Sequence, residues 1–121
     1  MLEEIQNSKA RDSDGSRAMI IEVTGDIGRN APSAESLIRR ADESKSQIAI
    51  VDLSRAETIN TEGLEWLEQV TTTLEPAGIK VRVVTSEGSK VRRILKLMRF
   101  DRFMVVLTTV FDALTFGKRH K

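Results

Sequence analysis

The sequence predicts an α/β fold, with a mixed, mostly parallel central β-sheet and about four helices. Two observations carry that expectation. Within residues 47–53, Gln-Ile-Ala-Ile-Val-Asp-Leu, Ile48 to Leu53 form an apolar and β-branched run interrupted only by Ala49 and Asp52, the pattern of a strand covered by helices on both faces. From the second predicted strand onward, a segment with helical periodicity separates each strand from the next, and that alternation is how parallel strands are connected.

Taken in order, residues 2–8 read as a first strand leading into a hairpin loop at Asp12-Ser13-Asp14-Gly15-Ser16, with an unstructured N-terminus as the alternative. Residues 18–24, Ala-Met-Ile-Ile-Glu-Val-Thr, are the second strand, ended by Gly25. The two glycines of Gly25-Asp26-Ile27-Gly28-Arg29-Asn30 predict a bend over the sheet edge. No Gly-Lys-Ser/Thr follows them, so the stretch is not a phosphate loop. A first helix is expected over residues 31–44, with Pro32 in its first turn and Ala34, Leu37, Ile38 and Ala41 on its apolar face.

The third strand, residues 47–53, leads through Ser54-Arg55-Ala56-Glu57-Thr58-Ile59 to a second helix that opens at Asn60-Thr61-Glu62-Gly63-Leu64. Leu64, Leu67, Val70 and Leu74 recur at near-helical spacing and form its apolar face. Asn60 suits the N-cap, and Glu62 puts a negative charge in the first turn, where the helix dipole favours it. Pro76-Ala77-Gly78 is its stop signal.

Residues 79–84 alternate apolar and basic before becoming fully apolar, which predicts a fourth strand with one partly exposed face and its basic residues solvated. Residues 89–99 are a third helix, with Val91, Ile94, Leu95 and Met98 on one face and Lys90, Arg92, Arg93, Lys96 and Arg99 around the rest. Residues 103–107 are the last strand. Thr108 or Thr109 caps a short helix over 110–116, Gly117 ends it, and Lys118-Arg119-His120-Lys121 is a frayed basic tail.

The length of 121 residues suits one domain with one sizeable core, here taken as 1–121. No apolar run approaches the roughly 18 to 20 residues needed to span a bilayer, and the acidic start lacks the order of a secretory signal, so a cytoplasmic location without membrane insertion is expected. With no cysteine, thiolate catalysis and cysteine-ligated metals are excluded. The only histidine is His120, in the tail, which argues against a histidine-assisted hydrolase or a histidine metal centre. No catalytic residue, metal ligand or cofactor is assigned. The first 60 residues carry net −3 and the rest +4, too small an asymmetry to argue for nucleic acid. One Trp, four Phe and no Tyr also leave few aromatics for stacking bases.

The second helix start is where function is expected. Thr61, at or beside an exposed helix N-terminus, has two uses: capping backbone N–H groups, or accepting a phosphoryl group that the dipole would help to hold. Trp66 is either an exposed anchor for a partner or a residue partly buried at the helix edge. The basic third helix is either an interface for an acidic partner or anionic surface, or a solvated face.

These residues carry a resemblance. Ile50-Val51-Asp52-Leu53-Ser54 through Ile59-Asn60-Thr61-Glu62-Gly63-Leu64 resembles a STAS domain, the module shared by bacterial anti-sigma factor antagonists and by the cytoplasmic tails of sulfate-type anion transporters. Further matches are Gly25-Asp26-Ile27, Ala77-Gly78-Ile79-Lys80-Val81, Val91-Arg92-Arg93-Ile94-Leu95 and Phe100-Asp101-Arg102-Phe103, so the likeness covers roughly residues 18–116.

The resemblance implies a non-enzymatic regulator that binds an anti-sigma factor which is itself a kinase, and is released when a Ser or Thr at the helix start is phosphorylated. Carried over, the acceptor is Thr61, with Asn60 where the family has Asp and Glu62 where it usually has a second Ser or Thr. The partner surface would comprise Gly25, Asp26, Ile27, Asn60, Thr61, Glu62, Gly63 and Trp66. A transporter's cytoplasmic domain and a scaffold or sensor component without phosphorylation are the alternatives, and the chain's length favours a free regulator over a transporter tail.

Overall fold

A computed structural model describes residues 2–6 and 15–116. Their order is β1 (Leu2–Gln6), β2 (Ala18–Ile27), α1 (Ala34–Ser44), β3 (Ile48–Asp52), β4 (Ala56–Ile59), α2 (Thr61–Leu74), β5 (Lys80–Val84), α3 (Lys90–Leu97), β6 (Val105–Leu107) and α4 (Val110–Thr115). Single 3-10 turns follow α2 at Glu75–Ala77 and α3 at Phe100–Arg102. The six strands form one sheet in the order β1-β2-β3-β5-β6, with β4 paired to β2 off that path. Only β1 runs antiparallel to its neighbour. The expected α/β class and mixed, mostly parallel sheet are what the structure shows.

The two sheet faces follow from side-chain alternation along the strands. Met19, Ile21 and Val23 of β2, Ala49 and Val51 of β3, and Val81 and Val83 of β5 face α1, α2 and α3 and form the main core with Leu37, Leu67, Val70, Leu74, Val91 and Leu95. Ala18, Ile48, Ile50 and Val84 face the other way and are covered by Ala113 of α4. β3 lies mid-sheet with both faces covered, so its sequence is an unbroken apolar run rather than an alternating one.

Four expectations need correction. β2 does not end at Gly25 but runs on to Ile27. Gly25 has φ 77°, and the register shifts between Gly25 and Asp26, so the strand bends and changes partner there. Up to Thr24 it pairs β1 and β3, and from Gly25 onward it pairs β4. β4 itself, Ala56–Ile59, is a strand where a plain loop was expected.

The first helix starts later than expected. Ser33 is its N-cap, with Oγ accepting from the Ser36 N–H at 3.1 Å, and Pro32 lies before the cap. Finally, Arg82 is not solvated: only 6% of it is exposed, its Nη1 donates to the Ala113 carbonyl at 2.7 Å, and its guanidinium carbon lies 5.4 Å from the Phe116 ring centroid. α4 crosses that face of β5, and its last-turn carbonyls, which have no intrahelical donor, attract a cation.

Asn7 and Ser8, most of the expected hairpin loop, Gly117 and the basic tail lie outside the described residues.

Candidate functional site

The carboxyl ends of β2 and β4 run side by side, Asp26 opposite Thr58 and Ile27 opposite Ile59. Each then leads into one half of the site. After β2 the chain turns at Gly28, whose carbonyl accepts from Ala31 N–H at 3.1 Å, and exposes Arg29 and Asn30. After β4 it enters α2 through Asn60. The Asn60 N–H donates to the Ile27 carbonyl at 3.1 Å, its carbonyl accepts from Leu64 N–H at 2.9 Å, and its Oδ1 accepts from Gly63 N–H at 2.9 Å. One residue thus caps the helix and ties it to the neighbouring strand.

Neither glycine of this corner leaves room for a Cβ. A Cβ on Gly28 would lie 2.8 Å from Asn60 Nδ2, and one on Gly63 would lie 2.4 Å from the Ile27 carbonyl oxygen. Behind the corner, Asp52 Oδ1 accepts from Ser54 N–H at 3.0 Å, and Ser86 Oγ donates to the Ser54 carbonyl at 2.8 Å. The Asp-Leu-Ser turn after β3 is therefore held before the chain reaches β4.

Because Asn60 supplies the cap, Asn60→Ala is expected to lower stability by about 1 kcal/mol. Asn60→Asp, which keeps the oxygen and adds a charge favoured by the dipole, should match or exceed the wild type. Urea denaturation of the three proteins checks this, and equal stability of the alanine variant would contradict the cap.

Thr61 is the first residue of α2 and is exposed, with the capping role filled by Asn60. Beside it, Glu62 pairs with Arg29 across the corner, Nη2 to Oε2 at 3.2 Å, with both side chains well exposed. An exposed pair of this kind contributes about 0–1 kcal/mol. Its local effect is that the carboxylate next to Thr61 is faced by a cation.

A STAS domain model matches residues 9–115. The chain belongs to the STAS domain family. Among solved structures, this STAS domain is similar to an anti-sigma factor antagonist from Mycobacterium paratuberculosis, at 26% identity and TM-score 0.66 over 92% of each chain. It also shares its fold with a protein described as a candidate anti-sigma factor antagonist from Thermotoga maritima, at 17% identity and TM-score 0.62 over 90% of each chain. Comparison with curated proteins gives no match.

The STAS fold brings Asp26, Ile27, Asn60, Thr61, Glu62 and Gly63 into one corner but does not leave all of them accessible. Asp26, Asn60, Thr61 and Glu62 are exposed, while Ile27 and Gly63 are buried beneath them. Trp66 is not an exposed anchor: it is 7% exposed, and its indole N–H donates to the Pro32 carbonyl, pinning the chain that enters α1. Arg29 is the residue that sequence reasoning missed, since nothing local marks its ion pair with Glu62, 33 positions away. Among the described residues, no helix is long and apolar enough to cross a membrane, and no His, Cys, Asp or Glu cluster could hold a metal ion.

Proposed function

We propose that this STAS domain is a non-enzymatic regulator that docks a protein partner through the exposed corner made by Asp26, Arg29, Asn60, Thr61 and Glu62, and that phosphorylation of Thr61 releases the partner. The observation that carries this reading is the position of Thr61: exposed on the first residue of α2, beside a cap that another residue supplies. The likeness to a mycobacterial anti-sigma factor antagonist supports the regulatory role and an anti-sigma factor as the partner, and the kinase activity of that partner is part of the proposal.

A phosphate on Thr61 adds about −1.5 to −2 charge at this corner. The dipole of α2 accommodates it within the domain. A partner seated on the corner would meet that charge desolvated, and docking would be lost.

The test is recovery of partners from a lysate of the source organism with wild-type, Thr61→Ala and Thr61→Glu baits, with phosphosite mapping after incubation with the recovered partner and ATP. Wild type and Thr61→Ala are expected to recover the same kinase-type protein, Thr61→Glu to lose it, and phosphate to appear on Thr61 alone. Thr61→Ala should change stability by no more than about 0.5 kcal/mol, as for an exposed residue outside the cap. Equal recovery by Thr61→Glu with no phosphate on Thr61 would replace the switch with constitutive docking.

A further inference from the structure

Among the described residues, four large apolar side chains are well exposed, and three of them fall between positions 97 and 103: Leu97 at 73%, Met98 at 53% and Phe103 at 49%. They sit at the end of α3 and on the turn after it. Arg99, in the left-handed region at φ 61°, reverses the chain there, and the Phe103 ring returns to within 5.1 Å of Phe100. A single exposed apolar residue needs no explanation, whereas a cluster marks an interaction surface.

The rim of this cluster is cationic. Lys90, Arg93, Lys96, Arg99 and Arg102 are all exposed, against the carboxylates of Glu87 and Asp101. A groove of about 200 Å³, lined by Arg92, Leu95, Lys96, Asp101 and Val106, opens beside it. Val106 belongs to β6, the edge strand of the sheet, so the groove lies where the sheet ends.

Two kinds of surface offer anions together with apolar groups: an anionic bilayer and an acidic amphipathic protein segment. The groove favours the second, because a bilayer surface presents nothing shaped to enter it, whereas a peptide can insert an apolar anchor.

We propose that the α3 face is a second docking surface of this STAS domain, and that its occupant is an acidic amphipathic segment of a partner protein. The segment's apolar anchors lie against Leu97 and Met98 with one entering the groove at Val106, and its carboxylates face Lys96 and Arg99. The surface is carried by a different helix from Thr61, so the proposal stands whether or not Thr61 is phosphorylated.

The test uses the full chain and four probes: a synthetic helical peptide with leucines on one face and glutamates on the other, a scrambled peptide of the same composition, the first peptide with lysine for glutamate, and phosphatidylserine/phosphatidylcholine vesicles. Binding is followed by amide chemical shifts and fluorescence anisotropy. The acidic amphipathic peptide is expected to perturb residues 92–106 and to bind at least about tenfold more tightly than the scrambled one. The charge-reversed peptide should not bind. Lys96→Glu combined with Arg99→Glu should weaken binding by about tenfold, and Leu97→Ser should weaken it separately, with unchanged melting temperatures. Absence of binding, equal binding of the scrambled peptide, perturbation centred elsewhere, or preference for the vesicles would overturn the proposal.

Discussion

Gly63→Ala is expected to destabilise the protein by about 3 kcal/mol, lowering the melting temperature by on the order of 10 °C. The smallest possible side chain would place its Cβ 2.4 Å from the Ile27 carbonyl oxygen and 2.7 Å from Ile59 Cγ1. The first neighbour is backbone, so no rotamer change relieves the overlap. α2 must back away from β2, and that motion pulls on the Asn60 N–H bond to the same Ile27 carbonyl. The alanine gains helix propensity of about 1 kcal/mol over glycine, which the overlap has to exceed for the sign to hold. Thermal and urea unfolding decide it: a stabilised Gly63→Ala protein would mean that the helix can shift at little cost. Loss of the partner in this variant would report distortion of the corner, since the buried Gly63 offers a partner nothing to touch.

Arg82→Ala is expected to cost a similar amount, about 3 kcal/mol, by a different route. A hydrogen bond from a charged donor contributes roughly 1.5–3 kcal/mol, and the truncation also removes the buried stem of the side chain. It leaves the Ala113 carbonyl without this donor and the Phe116 ring without its cation. The damage should be local. Hydrogen exchange is expected to accelerate in β6 and α4 while the amides of α2 remain protected. Uniform acceleration across the sheet, or a stability change below about 0.5 kcal/mol, would show that Arg82 does not anchor α4.

These two residues also show what a sequence makes legible. The start of α2 could be read in advance because its signals are local: an asparagine at the cap, an acid in the first turn and apolar residues at helical spacing. β3 could be read because a strand covered on both sides has one apolar texture. Arg82 could not, because its acceptor is 31 positions further along. An arginine in an alternating strand looks the same whether water or a helix end faces it.

Trp66 was open for the same reason, its acceptor at Pro32 being 34 positions back. β4 was missed because four residues, Ala-Glu-Thr-Ile, that pair only with the bent tail of β2 have no pattern that separates them from a loop. Gly25 looked like a stop because glycine is a common break between elements in a sequence. Here it lets the strand change partner and continue. Of the corner itself, Asn60, Thr61, Glu62 and Asp26 were singled out from motif and cap chemistry, whereas the Arg29–Glu62 pair depends on a fold that had first to bring them together.

Because the tail of β2 is laced to β4 and both run straight into the corner, the backbone of the proposed docking surface is tied into the sheet. Association then need not supply the conformational entropy of folding a loop, and the remaining entropic cost is that of quenching a few exposed side chains, about 0.5–1.5 kcal/mol each. On the proposed reading, a phosphate at this corner acts chiefly through the field the new charge creates. A switch built on it would therefore act at the speed of the modification, with no slow conformational phase between the chemistry and the loss of binding.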